Sequence, residues 1–145
     1  YLGDRILAVW GVPLAHEDDP LRAVTAAVAM QQLMEAINQQ RETDNLPLLE
    51  IGIGVATGPV VAGSIGSQKT RRYSMVGDVV NEVQAICASS RSEQVLISEK
   101  TFKVVRKHFD IDEAHTLQLG DRAVKCFEIL GEQEGRPEQP WSYLG

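Results

Sequence analysis

The chain has 145 residues, the size of a single domain that buries about two-thirds of its unfolded surface in one core. Its formal net charge of −6 argues against a nucleic-acid-binding protein, because a phosphate backbone selects clustered Lys and Arg. No run of about 18 apolar residues occurs, so the sequence predicts no membrane-spanning helix.

The first predicted elements are a strand and a long helix. Ile6–Trp10 is a short apolar run after the Gly3-Asp4 turn, so it predicts a buried strand. Asp18-Asp19-Pro20 supplies a capping Asp and an early Pro for a helix that continues from Leu21 to about Arg41. Apolar residues recur in it at helical spacing and predict a face buried on a sheet: Ala23, Ala27, Met30, Met34 and Ile37.

Glycine residues distinguish the next predicted strand, Leu48–Thr57. Gly52 and Gly54 alternate with apolar residues, so one face of this strand carries almost no side chains. A helix or another chain can therefore approach its backbone there, and the same bare face suits close packing in a dimer.

The remaining sequence alternates short strands with helices and ends in a hairpin. Gly77-Asp78 opens a helix that runs to about Ala88, and Ser98 caps a small helix. This mixture favours an α+β sandwich with a mixed, mainly antiparallel sheet over a doubly wound parallel fold. The predicted strands are Val60–Ala62, Tyr73–Val76, Val95–Ile97, Phe109–Leu119 and Ala123–Leu130, the last two joined by Gly120-Asp121-Arg122.

The cysteines and the chain ends indicate the setting of the domain. Cys87 and Cys126 have no CxxC spacing, so they are predicted to be free, buried thiols in a reducing compartment, as in a cytoplasmic domain. The chain opens at Tyr1 without Met, which favours a piece of a larger multidomain or membrane-anchored protein. Residues 132–145 are polar and contain Pro and Gly, as expected for a tail or linker.

The stretch from Ile51 to Asn81, IGIGVATGPVVAGSIGSQKTRRYSMVGDVVN, carries the main functional signal. A strand leads into a Gly-rich basic turn, and a helix then presents a polar amide, which suits a phosphorylated nucleotide. Together with Leu2-Gly3-Asp4, this block resembles the catalytic domain of class III nucleotidyl cyclases, the adenylate and guanylate cyclases. The resemblance implies a ferredoxin-like α/β sandwich over residues 1–131 that lacks its first strand.

The resemblance implies that Asp4 is a metal ligand. In this family the hairpin aspartate helps to hold two divalent cations, Mg²⁺ or Mn²⁺, which prefer carboxylate and phosphate oxygens. The second family aspartate lies in a segment of the type F-x-D-I-x-G-F-T, which this sequence does not contain. An ordinary turn residue is the alternative interpretation of an isolated Gly-Asp pair.

The helix that begins at Gly77-Asp78, and the short strand before it, carry the residues that the resemblance places next to the ribose and the base. Asn81 is implied to orient the ribose, with a solvent-facing amide as the alternative, and Ser74 is implied to contact the base. Asp78 is placed with the nucleotide-binding residues but is most simply an N-cap. The family arginine one turn after Asn81 is Ala85 here, and loss of such a donor costs on the order of a hundred- to a thousand-fold in rate.

Basic residues near the Gly-rich turn are candidates for phosphate contacts. Lys69, Arg71 and Arg72 could meet a triphosphate, and a solvated charge cluster is an equal alternative. The family also places a Lys beside the Gly of the last hairpin. No Lys adjoins Gly120 here, and Arg122 is the nearest substitute, opposed by the neighbouring acidic side chain.

Two classes of function remain open. The first is an adenylate cyclase that forms cyclic AMP and pyrophosphate from ATP, as a homodimer with composite sites. GTP is the alternative substrate, because the base-reading position of the family would precede Tyr1. The second is a degenerate, non-catalytic module for dimerisation or regulation, which Ala85 favours. In either case we expect this piece to be inactive in isolation.

Overall fold

A four-stranded sheet with helices on both faces forms the centre of the fold. The structure is a computed structural model that describes residues 6–11, 14–65 and 72–132, without the side chains of residues 61–65 and 72–75. In chain order the elements are α1 (Asp19–Thr43), β1 (Ile53–Val55), β2 (Val61–Ile65), β3 (Arg72–Val76), α2 (Asp78–Ser89), β4 (Val95–Ser98), α3 (Glu99–Val105), β5 (Phe109–Leu119) and β6 (Arg122–Glu132).

The sheet is mixed, as predicted. Its strand order is β1-β4-β6-β5, with β1 parallel to β4 and the other neighbours antiparallel. β2 and β3 form a separate antiparallel ribbon that leads directly into α2. The predicted hairpin is present in β5 and β6, and it turns at Gly120, whose φ of +61° favours glycine. These observations confirm the α+β fold class.

Two apolar cores lie on opposite faces of the sheet. On one face α1 and α3 cover β1, β4 and β6, and on the other face α2 covers the same sheet. Cys126 is buried in the α2 core and Cys87 is half-buried on α2, and both are free thiols. No helix within the described ranges is long and apolar enough to cross a membrane.

The long helix α1 begins where predicted, although the Asp18 side chain at its N-cap makes no capping hydrogen bond, and only its N-terminal half supplies buried side chains. Pro20 occupies its first turn, and the N-terminal half supplies its buried side chains, Ala23 and Ala27 among them. The prediction that Met30 and Ile37 are core residues is wrong, because their side chains are 49% and 37% exposed. The helix is roughly 37 Å long, and its last buried residue is Val28, so its second half adds no buried side chain to this core.

The strand that follows α1 is shorter than predicted. Leu48–Thr57 was the predicted span, but only Ile53–Val55 is paired in the sheet. The segment before it bonds instead to side chains of α1. The Asn38 side chain makes two hydrogen bonds of 2.8 Å with the backbone of Leu49, and the Gln31 amide donates to the Ile51 carbonyl at 3.0 Å. These side chains take the place of a neighbouring strand.

The bare glycine face of β1 is covered by α2 of the same chain. A Cβ atom at Gly54 would lie 2.7 Å from the backbone nitrogen of Cys87, and one at Gly52 would lie 2.0 Å from the Ser90 hydroxyl. The prediction of a close approach by a helix is therefore confirmed. The same face is not available to a second subunit, contrary to its suggested use in a dimer.

The first predicted strand is not present. Ile6–Trp10 has no strand structure, and the side chains of Ile6 and Trp10 are 85% and 40% exposed. A strand needs a neighbour for its backbone hydrogen bonds, and no strand within residues 14–65 and 72–132 pairs with this segment. The Gly3-Asp4 turn that precedes it lies outside the described residues.

Candidate functional site

The start of α2 is held against the loop that follows β1. Gly77 occupies the N-cap position, and a Cβ atom there would lie 2.8 Å from the Pro59 carbonyl oxygen. Asp78 is the first helical residue and is exposed. The prediction that Asp78 is the N-cap is therefore wrong, because the close contact with Pro59 selects glycine at that position. The Asp78 carboxylate remains in the first turn, where the helix dipole favours it.

Asn81 presents its amide on the outer face of α2. It is exposed, whereas Val79 and Ile86 on the other side of the helix are buried in the structure. Ala85 follows one turn later and is half-buried. One turn after Asn81, this helix therefore offers only a methyl group.

Strand β3 connects the predicted base-contacting residue to this helix. Ser74 lies on β3 in register with Gly63, and Arg72 lies at the start of the same strand in register with Ile65. Ser74, Asp78 and Asn81 thus belong to one continuous strand-to-helix unit. The side chains of Arg72 and Ser74 lie outside the description, as do Asp4, Lys69 and Arg71 entirely.

An ion pair joins the β5–β6 hairpin to the first turns of α2. The Arg122 guanidinium donates to the Glu82 carboxylate at 3.2 Å. The Glu82 side chain is 15% exposed and that of Arg122 is 55% exposed, so one edge of the guanidinium faces solvent. Burial raises the pKa of the Cys126 thiol, and the Glu82 charge raises it further, which places this carboxylate near the α2 core. Arg122 is therefore a cation beside the turn that carries Asn81.

Hydroxyl groups join α3 to the segment just after β1. The hydroxyl oxygens of Thr57 and Thr101 are 2.7 Å apart, and those of Thr101 and Ser98 are 3.0 Å apart. The predicted cap is confirmed, because the Ser98 hydroxyl accepts from the backbone N–H of Thr101. The link to Thr57 was not predicted, because the two threonines are 44 positions apart and no local pattern connects them.

The described residues alone do not form a metal site. Within residues 6–11, 14–65 and 72–132, no group of three His, Cys, Asp or Glu side chains could hold a metal ion. Near Asn81 only Asp78 offers an exposed carboxylate in the first turn of α2. A surface depression of about 600 Å³ lies at the start of β5, and neither Asp78 nor Asn81, whose side chains the structure describes, lines it.

Comparison with known proteins decides the family. Residues 1–131 match the family described as the adenylate and guanylate cyclase catalytic domain. The chain belongs to this family. Its fold is that of the guanylyl cyclase Cya2, whose crystal structure has a TM-score of 0.83 and 35% identity and matches 93% of this chain and 70% of that one.

Curated relatives of this cyclase chain include both a guanylyl cyclase and an adenylate cyclase. The membrane guanylyl cyclase of Dictyostelium discoideum is 29% identical over 140 residues, which are 96% of this chain and 9% of that protein. Adenylate cyclase 1 of Rhizobium meliloti is 33% identical over 79 residues, 54% of this chain and 12% of that protein. The chain thus spans a small part of these relatives. It is a nucleotidyl cyclase catalytic domain, and the family does not select between ATP and GTP.

Proposed function

We propose that this domain forms cyclic AMP and pyrophosphate from ATP by attack of the ribose 3′-oxygen on the α-phosphorus. The observation that carries the proposal is the exposed Asn81 amide in the first turns of α2, on a helix whose start is fixed by Gly77 and Gly58 contacts. An amide in a fixed position can orient a ribose hydroxyl, which lowers the entropic part of the barrier.

Divalent cations would complete this chemistry. Asp4 is the proposed ligand for Mg²⁺ or Mn²⁺, whose chemistry is to acidify the attacking hydroxyl and to neutralise the triphosphate. Carboxylate oxygens suit these hard cations, and one aspartate is half of a two-metal ligand set. The chain's own contribution is to hold the ribose at Asn81 while the 3′-proton leaves.

Ser74 is proposed to contact the base. It precedes α2 on the strand that leads into Asn81, so both residues belong to one strand-to-helix unit. A serine hydroxyl can accept from the exocyclic amine of adenine or donate to a ring nitrogen, which favours ATP. GTP is the alternative substrate, since a hydroxyl can also serve guanine.

Basic side chains and a second subunit would complete the site. The proposed phosphate contacts are Lys69, Arg71 and Arg72. A guanidinium group can donate two parallel hydrogen bonds to one phosphate, and a lysine ammonium binds it as a point charge. We propose a homodimer in which each site takes its metal ligands from one subunit and Asn81 from the other. The parent protein is proposed to be a larger signalling protein with this domain in the cytoplasm.

A non-catalytic role in dimerisation or regulation is the second candidate. Ala85 favours it, because the face of α2 beyond Asn81 offers no charged donor for a developing phosphoryl charge. The Ala85→Arg variant of the full-length protein separates the two. A large gain in cyclic nucleotide formation indicates an active site weakened at one position. Unchanged activity together with no nucleotide binding by calorimetry indicates the regulatory module.

A further inference from the structure

A chain of three hydroxyl groups, two of them fully buried, holds the segment just after β1. Thr101 and Ser98 are 0% exposed, and the Thr101 hydroxyl lies between those of Ser98 and Thr57 at 3.0 Å and 2.7 Å. Capping of α3 requires only the Ser98 hydroxyl and the Thr101 backbone. The contact with Thr57 is therefore additional to the cap, and it joins a fully buried hydroxyl to a part-buried one, away from bulk water on the Thr101 side.

The residues directly after Thr57 contact the start of α2 at two positions. A Cβ atom at Gly58 would lie 3.1 Å from the Val79 Cβ, so the loop and the helix are already in close contact. One residue later, the Pro59 carbonyl lies against Gly77, the N-cap of the helix. A shift of Thr57 would therefore move the turn of α2 that presents Asn81.

We propose that Thr101 is a positioning residue for the cyclase reaction and that it acts through Thr57 on the placement of Asn81. This inference rests on the function proposed above for Asn81. The hydroxyl of Thr101 anchors Thr57, two residues after β1, from the α3 face of the sheet, while the loop that follows supports α2 on the opposite face. Misplacement of a catalytic group by about 1 Å can cost roughly a hundred-fold in rate, so even a partial shift is measurable.

Hydroxyl deletion in the full-length protein tests this role. Thr101→Val keeps the shape of the side chain and removes the hydroxyl, whereas Thr101→Ser keeps the hydroxyl. We expect Thr101→Val to lower kcat about tenfold with KM changed less than twofold, and Thr101→Ser to restore most of the rate. Thr25→Val is the matched control, since Thr25 is a buried threonine (6% exposed) on α1, and we expect it to leave kcat within about twofold.

Hydrogen exchange gives a second readout that does not depend on turnover. We expect Thr101→Val, but neither Thr101→Ser nor Thr25→Val, to accelerate amide exchange in residues 77–83 of the full-length protein measured by mass spectrometry. If Thr101→Val does not fold, Thr57→Val removes the same hydrogen bond from the more accessible side.

The outcomes separate this inference from the function on which it rests. If the wild-type protein forms no cyclic nucleotide, the proposed function fails, and the exchange of residues 77–83 alone decides whether Thr101 positions α2. The inference is overturned if the valine variant, with a normal melting temperature, keeps wild-type kcat and wild-type exchange in this segment. It is also overturned if Thr101→Ser, which keeps the hydroxyl, loses as much kcat as Thr101→Val.

Discussion

Gly54 of strand β1 lies directly beneath Cys87 of helix α2. A Cβ atom at Gly54 would be 2.7 Å from the Cys87 backbone nitrogen and 3.0 Å from its Cα. Both neighbouring atoms belong to the backbone, so a side-chain rotation cannot relieve the contact. The distance between the sheet and the helix that carries Asn81 is therefore set by the absence of a side chain at one position.

Replacement of this glycine should destabilise the domain. We expect Gly54→Ala to lower the free energy of unfolding by about 1–3 kcal/mol, the usual cost of an added methyl group in a tightly packed core. Urea unfolding followed by circular dichroism measures the change. Gly131→Ala on β6 is the matched control, because a Cβ atom there meets nothing within 4 Å, and its effect should stay within about 0.5 kcal/mol. Equal effects of the two substitutions would contradict the contact.

The Asn38 side chain should stabilise the segment before β1. Asn38→Ala removes both hydrogen bonds to the Leu49 backbone, so we expect a loss of about 1 kcal/mol, since the site is exposed and water replaces part of the interaction. Gln39→Ala removes a neighbouring exposed amide and serves as the control. Unfolding in urea compares the two variants. A loss in the control as large as that in Asn38→Ala would show that the effect belongs to the helix and not to this contact.

The raised pKa of Cys126 predicts a loss of stability at alkaline pH. Burial, aided by the Glu82 charge, raises the folded-state pKa of this thiol above its ordinary value of 9.0. Above that value the unfolded state loses the proton first, so the unfolded state gains stability as pH rises. We expect Cys126→Ala to reduce the decline in unfolding free energy between about pH 8.5 and 10.

A cavity control separates this titration from simple packing loss. Val124→Ala removes apolar volume from the same core without a titrating group, so it should lower stability while keeping the wild-type pH dependence. Parallel declines for the wild type and Cys126→Ala would show that the thiol does not contribute.

The sequence predicted those parts of the fold that depend on residues adjacent in the chain. The start of α1 follows from Asp19 and Pro20, and the hairpin turn follows from Gly120. The alternation of Gly52 and Gly54 predicted a close helix contact, but only the structure identifies that helix as α2.

Features set by distant residues could not be predicted in this way. Ile6–Trp10 has the composition of a strand, yet a strand also requires a partner, and composition does not supply one. The exposure of Met30 depends on which part of α1 packs on the sheet, and helical periodicity does not contain that information. The contact between Thr57 and Thr101 joins residues 44 positions apart. Asn81 could be proposed from the sequence because it lies inside a contiguous motif.

The central claim is that Asn81 serves a nucleotidyl cyclase reaction, and cyclic nucleotide formation by the full-length protein tests it most directly. With Mn²⁺ and either ATP or GTP, we expect turnover that favours ATP and falls on the order of a hundred-fold in Asn81→Ala. Gln39→Ala, which removes an exposed amide of α1, should retain wild-type turnover. Absence of product from both nucleotides, or equal turnover by Asn81→Ala and the wild type, would contradict the account.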